Sequence, residues 1–185
     1  RVLFRSNRDG FKPLYSQKSD TVFSMMMHRS DNFYAEQTLL MAANRHISKM
    51  NESEMIDTLL ENDLSDIPQR PSWIDGSGLS RHNLFSPNDM VYIINKMKNE
   101  FGIERLKNIL PTGGTGTLKN YYLDDSGFIF AKTGSFSNNF CLSGLLITKQ
   151  NKQLVFSIML NNYQGSSKEV RKLIEGYLHE IRIKY

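Results

Sequence analysis

After a short N-terminal stretch, apolar residues recur at helical spacing in the first half of the chain. Residues 1–19 show no sustained period, which predicts an extended segment that enters the domain. From Ser19 onward, apolar residues recur on one helical face, and this pattern predicts two helices separated by a break at residues 29–31.

Capping signals predict two further helices. Asn51 with Glu54 three residues later is typical of a helix start, and so is Ser86 followed by Pro87. The helix after Ser86 is expected to end at Gly102. Its predicted buried face consists of Met90, Ile93, Ile94, Met97 and Phe101.

The pattern changes after a short predicted helix over residues 103–110 and a glycine-rich turn over 112–117. Apolar runs rich in β-branched and aromatic residues then alternate with polar turns, which predicts three strands in a meander. These predicted strands are 128–131, 140–148 and 153–161.

A closing amphipathic helix is predicted after Ser166, with Glu169 completing a capping box. Its apolar stripe, expected to lie across one face of the sheet, consists of Val170, Leu173, Ile174, Tyr177, Leu178 and Ile181. Segregated helices and antiparallel strands predict the α+β class.

Composition and charge are those of an ordinary globular protein. The 185 residues are 39% apolar and 23% charged, so one domain over 1–185 is expected. The net charge of +4 is dispersed, which does not favour nucleic acid as a partner. One cysteine excludes an internal disulfide, and four scattered histidines lack metal-ligand spacing. We therefore expect neither a metal nor another cofactor.

Two short polar motifs stand out by their order and position. Ser30-Asp31-Asn32 falls at the predicted helix break, and Lys132-Thr133-Gly134 ends the first predicted apolar strand. Each motif alone has a structural explanation, because Ser30 can cap a helix and Lys132 can extend its ammonium group into solvent. Together they match the S-D-N and K-T-G signatures of the penicillin-recognising serine enzymes.

Longer blocks extend this match over roughly residues 12–180. The blocks are 30–37 (SDNFYAEQ), 75–81 (DGSGLSR), 110–118 and 131–135 (AKTGS). In this order they resemble the D-Ala-D-Ala carboxypeptidase/endopeptidase family of low-molecular-mass, class C penicillin-binding proteins. The resemblance implies a penicillin-binding-protein/β-lactamase-like domain with a helical half and a sheet.

In that family, a serine of an S-x-x-K motif attacks the D-Ala-D-Ala carbonyl, or a β-lactam, and forms an acyl-enzyme. No serine of this chain has a lysine three positions later. The resemblance therefore predicts the C-terminal portion of a larger enzyme, which is inactive alone because the nucleophile motif lies elsewhere.

The resemblance also implies roles for individual residues. The catalytic set would be Ser30, which relays a proton to the leaving amine, Asn32, which binds the substrate backbone, and Lys132, which places a cation beside Ser30. The substrate-binding set would be Thr133, Gly134 and Ser135. The hydroxyls of Thr133 and Ser135 would bind the terminal carboxylate, and the Ser135 N–H would be one oxyanion donor. Asp75 and Arg81 fit a loop brace as well as a substrate contact.

The function expected of the parent is a serine-type D-Ala-D-Ala carboxypeptidase in the periplasm or cell envelope of a bacterium. Its partners would be peptidoglycan stem peptides and β-lactams. The alternative is a non-catalytic peptidoglycan-binding or scaffolding module with the same fold. An incomplete sheet also exposes an edge, which makes self-association of the chain a further expectation.

Overall fold

The computed structural model describes residues 17–185, so the predicted extended segment lies almost entirely outside the described residues. Within them the helices are α1 (Ser19–Arg29), α2 (Asn32–Ile47), α3 (Glu52–Glu61), α4 (Pro87–Phe101), α5 (Ile103–Ile109) and α6 (Ser167–Lys184). The strands are β1 (Ile129–Phe136), β2 (Asn139–Ile147) and β3 (Gln153–Asn161). The predicted α+β class and the helix break at 29–31 are confirmed.

The three strands form an antiparallel sheet in the order β1-β2-β3. Strand β1 is longer than its apolar run, because its pairing with β2 continues from Ile129↔Leu146 to Phe136↔Asn139. The K-T-G motif ends the apolar part of this strand, as predicted, but the strand itself continues beyond the motif to Phe136. Lys132 lies within the strand and pairs with Ser143, since main-chain hydrogen bonds extend β1 past the point where its side chains become polar.

Helix α6 covers one face of the sheet, as predicted. Ile174 and Leu178 are buried against a cluster of strand residues. Leu173 and Tyr177 remain 73% and 58% exposed, so the predicted apolar stripe is buried only in part. A three-stranded sheet contacts only part of the wide apolar stripe of α6. The predicted capping box is also absent, because Ser166 Oγ accepts from Lys168 N at 3.2 Å.

A buried carboxylate anchors α6 to the turn before β1. Asp125 is 2% exposed and accepts hydrogen bonds from His179 Nδ1 and Arg182 Nη1, each at 3.0 Å. A charge this deeply buried requires such partners. The contact fixes α6 relative to the first strand.

Helix α4 lies on the other face of the sheet and begins at the predicted start after Ser86, where the structure shows a capping box. Ser86 Oγ accepts from Asp89 N at 3.2 Å, and the Asp89 side chain accepts from Ser86 N at 2.7 Å. Ile94 belongs to the core beneath the sheet. Phe101 is 50% exposed, so its predicted burial is wrong; its ring contacts the Arg105 guanidinium instead.

The glycine-rich segment after α5 forms the predicted turn and joins the two halves of the fold. Ala131 N donates to Pro111 O at 2.9 Å, and Thr112 Oγ1 donates to Ile129 O at 2.7 Å. Gly116 adopts φ 49°, and a Cβ at this position would lie 2.8 Å from His28 O. The turn can therefore approach the end of α1 only with glycine here, which fixes α1 relative to β1.

Among the described residues 17–185, no helix is long and apolar enough to span a bilayer.

Candidate active site

The S-D-N motif forms the junction between α1 and α2. Ser30 ends α1 in the left-handed conformation, with φ 54° and ψ 50°. Asp31 is the residue that caps α2, since its side chain accepts from Tyr34 N at 3.0 Å. The capping role considered for Ser30 therefore belongs to Asp31, and the Ser30 hydroxyl is available for another contact.

That contact is with the K-T-G motif on β1. Lys132 Nζ lies 2.8 Å from Ser30 Oγ, although the two residues are 102 positions apart. The same ammonium group donates to Thr133 O at 2.7 Å. Because an ammonium group can only donate, Ser30 Oγ accepts, and the Ser30 O–H proton is free to be given to another group.

The position of Lys132 changes its proton affinity. Burial between the helical half and the sheet lowers the pKa of the Lys132 ammonium group to about 8. The Lys132 ammonium group is held by Ser30 Oγ and Thr133 O rather than extended into solvent.

The residues predicted to bind substrate continue along β1 toward its open end. Thr133 is buried, whereas Gly134 and Ser135 are exposed. Past Ala131, the outer edge of β1 has no main-chain partner among residues 17–185. An extended peptide can add to such an edge. Asn32 is exposed at the start of α2 on the same junction as Ser30.

The D-G-S-G-L-S-R segment is a loop organised around one carboxylate. Asp75 accepts from Gly78 N at 2.6 Å, Ser80 N at 2.8 Å and Asn83 Nδ2 at 3.1 Å. Partial burial opposes ionisation, but these hydrogen bonds outweigh it and hold the pKa of Asp75 below its ordinary value. Asp75 is therefore a brace, and its partners are loop donors rather than Arg81.

Arg81 instead extends toward the β1–β2 hairpin. Its guanidinium carbon lies 5.5 Å from the centre of the Phe136 ring. This contact joins the loop to the end of β1.

Two polar residues of this region carry no functional signal in the sequence. The Glu36 carboxylate on α2 accepts from Gly76 N and Ser77 N, each at 3.0 Å, and so ties the loop to the helix that follows S-D-N. Arg171 Nη2 on α6 donates to Ser135 Oγ at 2.9 Å. Glu36 lies within a recognisable block but on a helical face with no local signal, and Arg171 lies in a helix whose pattern indicates only packing.

Residues 17–185 contain no group of three or more His, Cys, Asp or Glu side chains placed to hold a metal ion.

The fold is that of a penicillin-binding protein. The described structure matches penicillin binding protein 4 from Haemophilus influenzae, solved with a β-lactam, with a TM-score of 0.75 at 22% identity. The match covers 88% of this chain and 41% of that chain. At this identity the likeness concerns the fold, and it confirms the predicted architecture.

The sequence defines the family. The model of the D-Ala-D-Ala carboxypeptidase 3 (S13) family matches residues 5–181, and the chain belongs to this family. The predicted relationship to D-Ala-D-Ala carboxypeptidases is thereby confirmed.

Two curated relatives agree with this assignment. Penicillin-sensitive carboxypeptidase A of Dictyostelium discoideum is 30% identical over 55% of this chain and 22% of its own length. Carboxypeptidase DacB of Mycolicibacterium smegmatis is 32% identical over 48% of this chain and 21% of its own length. The chain thus spans about a fifth of the length of these relatives.

Proposed function

We propose that this chain is the C-terminal portion of the catalytic domain of a serine D-Ala-D-Ala carboxypeptidase that acts on peptidoglycan peptides. The observation that carries the proposal is the 2.8 Å contact between Lys132 Nζ and Ser30 Oγ, which joins the S-D-N and K-T-G motifs. Membership of the carboxypeptidase family supports it. We further propose that residues 1–185 form one domain and that the parent works in the periplasm or cell envelope of a bacterium.

The proposed chemistry is acyl transfer. A serine hydroxyl from outside this chain attacks the carbonyl carbon of the penultimate D-Ala, a C–O bond forms, and the C–N bond to the last D-Ala breaks. The leaving amine requires a proton, and Ser30 is suited to relay one because Lys132 already donates to its oxygen. Water then hydrolyses the acyl-enzyme and regenerates the serine.

Substrate placement follows from the open edge of β1. Thr133, Gly134 and Ser135 lie along that edge, where a peptide strand can pair and its terminal carboxylate can meet hydroxyl donors. The Ser135 N–H is the proposed oxyanion donor on this chain. Asn32 is proposed to hold the substrate backbone with its amide group.

The proposal predicts that the 185-residue chain forms no covalent adduct with a fluorescent penicillin, because its serines lack the activating lysine of an S-x-x-K motif. Intact-mass spectrometry measures this directly. A mass increase of one acyl group that disappears when a single serine of this chain is replaced would overturn the assignment.

The same reagent tests the site in the longer protein that contains this chain. Lys132→Ala is expected to lower the acylation rate by about 10²–10³-fold, the usual cost of one preorganised electrostatic group. Lys149→Ala removes an equal charge from an exposed turn and is expected to leave the rate unchanged. Failure of the longer wild-type protein to react would favour the non-catalytic peptidoglycan-binding module.

A further inference from the structure

An arginine from α6 reaches the end of the K-T-G strand. Arg171 Nη2 donates to Ser135 Oγ at 2.9 Å. Its guanidinium carbon lies 4.6 Å from the centre of the Phe140 ring and 5.6 Å from that of Tyr121. Two aromatic rings thus hold the guanidinium in place beside the strand.

The charge of Arg171 is not neutralised by the described residues. Arg105 pairs with Asp20 at 2.7 Å, and Arg182 pairs with Asp125 at 3.0 Å. Arg171 forms no ion pair with any carboxylate in the described part of the chain, 17–185. A fixed positive charge is therefore available at the open end of β1.

The hydrogen bond from Arg171 also determines whether the Ser135 hydroxyl can donate to a ligand. A guanidinium group only donates, so Ser135 Oγ accepts and its O–H hydrogen is available for an acceptor. Lys132 stands in the same relation to Ser30. Because residues 132 and 135 are an odd number of positions apart on β1, their side chains lie on opposite faces of the sheet, and two cations flank the strand.

We propose that Arg171 is a positioning residue for the terminal carboxylate of the substrate, a role that rests on the proposed function. It orients the Ser135 hydroxyl as a donor and adds positive charge on the α6 side of β1. A substrate carboxylate that accepts from Ser135 forms a charge-assisted hydrogen bond, whereas a neutral C-terminal amide forms only an ordinary one. Arg171 therefore makes the site selective for a free C-terminus.

The test compares two probes on the 185-residue chain itself: N-acetyl-D-alanyl-D-alanine and its C-terminal amide. Affinities are obtained from shifts of the Thr133 and Ser135 amide signals in nitrogen-15 NMR spectra. We expect the wild-type chain to prefer the carboxylate by about tenfold, the usual size of one hydrogen bond to a charged group. Arg171→Met is expected to remove this preference.

Lys172→Met is the matched control, because it removes the neighbouring exposed positive charge and is expected to keep the preference. In a Ser135→Ala background, Arg171→Met should have a smaller effect than in wild type, since the contribution that passes through the hydroxyl is already lost. A purely structural role would not produce this dependence. Should Arg171→Met not fold by thermal melting, Arg171→Gln replaces it with the same expectation.

The possible negative results distinguish a wrong role for Arg171 from a wrong proposed function. If the wild-type chain prefers the carboxylate and Arg171→Met retains that preference, the role of Arg171 is wrong and the proposed function stands. Equal binding of the two probes by the wild-type chain also overturns the role of Arg171. If neither probe binds, the proposed substrate site fails, and the role of Arg171 fails with it.

Discussion

At Ser30, the conformation of the backbone and the proposed role of the hydroxyl can be tested separately. Ser30 adopts a left-handed backbone conformation, which costs a non-glycine residue about 1 kcal/mol, and its hydroxyl accepts from Lys132. Strain of this kind persists where the surrounding structure enforces it, often at functional sites. Ser48, which ends α2 at φ 57°, has the same backbone conformation outside the site.

We therefore predict opposite functional outcomes for one substitution at two similar positions. Ser30→Gly relieves strain but removes the hydroxyl, so the free energy of unfolding should stay within about 1 kcal/mol of wild type. The proposed function then predicts that D-Ala release by the longer protein falls by about 10²-fold or more, the contribution of a positioned acid–base group. Ser48→Gly should raise stability by about 0.5 kcal/mol and leave D-Ala release unchanged. Wild-type release from Ser30→Gly would remove Ser30 from the catalytic set.

The burial of Lys132 predicts that the stability of the chain depends on pH. Burial lowers the pKa of Lys132 to about 8 in the folded chain, against about 10.4 in an unfolded one. Between pH 8 and about 10.4, the unfolded state binds more protons at this lysine than the folded state does. The free-energy cost of burying the charge is therefore fully present below pH 8, and stability rises as this cost disappears toward about pH 10.4. Carbon-13 NMR of the lysine Cε groups should show one midpoint near pH 8.

Lys132→Met assigns that signal, because the midpoint near pH 8 should be absent from this variant. The variant should also lose the gain in stability between pH 8 and about 10.4, measured by urea unfolding. A spectrum in which Lys132 titrates with the bulk of the lysines would show that the ammonium group is solvated.

At the scale of elements, the link between α2 and the loop over 75–80 holds the helical half of the site together. The Glu36 carboxylate accepts two main-chain hydrogen bonds from that loop. Gly76 approaches α2 closely, since a Cβ there would lie 2.9 Å from Ala35 O. The pKa of Glu52 is raised by its burial and by the nearby Glu36 charge, so Glu36 remains in place at some electrostatic cost.

Removing this link should destabilise the chain by a measurable amount. Glu36→Ala leaves the N–H groups of Gly76 and Ser77 without an acceptor, which should cost about 1–2 kcal/mol after relief of the repulsion with Glu52. Glu36→Gln retains an oxygen acceptor and should cost less than Glu36→Ala. Glu180→Ala removes an exposed carboxylate from α6 and should change stability by less than about 0.5 kcal/mol. Urea unfolding gives all three values, and equal effects of Glu36→Ala and Glu180→Ala would contradict the bracing role.

At the scale of the whole molecule, β3 has an open side. Its outer edge has no main-chain partner among residues 17–185, and its sequence QLVFSIMLN contains neither a charge nor a proline. Edge strands in stable monomers usually carry a charge or a proline, which opposes the addition of another strand. The expectation that the chain self-associates through a sheet edge therefore applies to β3, whereas β1 is partly covered by residues 111 and 112.

We predict that the isolated chain associates with increasing concentration in sedimentation velocity. Met159→Lys places a charge on the open strand and should reduce this association, because a lysine on an edge opposes strand addition. Gln150→Lys adds the same charge in an exposed turn and should leave association as in wild type. Equal reduction by both variants would indicate net charge as the cause rather than the β3 edge.

The sequence by itself determined the elements and the family of this protein. Helix starts such as Ser86 with Asp89 are local hydrogen-bonding patterns, and they were predicted correctly because neighbours in sequence satisfy them. Strand order in the meander followed from short polar turns between apolar runs. The S-D-N and K-T-G motifs supported the resemblance because their residue order can be read directly, and the family assignment is confirmed over residues 5–181.

Only the tertiary structure decided which side chains meet and which stay exposed. The contact of Lys132 with Ser30 spans 102 positions, and no local pattern encodes it. Asp31 rather than Ser30 caps α2, a choice set by the backbone angles at the junction. Leu173 and Phe101 are exposed because burial depends on the area of the opposing surface, which helical periodicity does not measure. Arg171 reaches β1 for the same reason: the packing of α6 on the sheet, and not the sequence around it, brings its guanidinium beside Ser135.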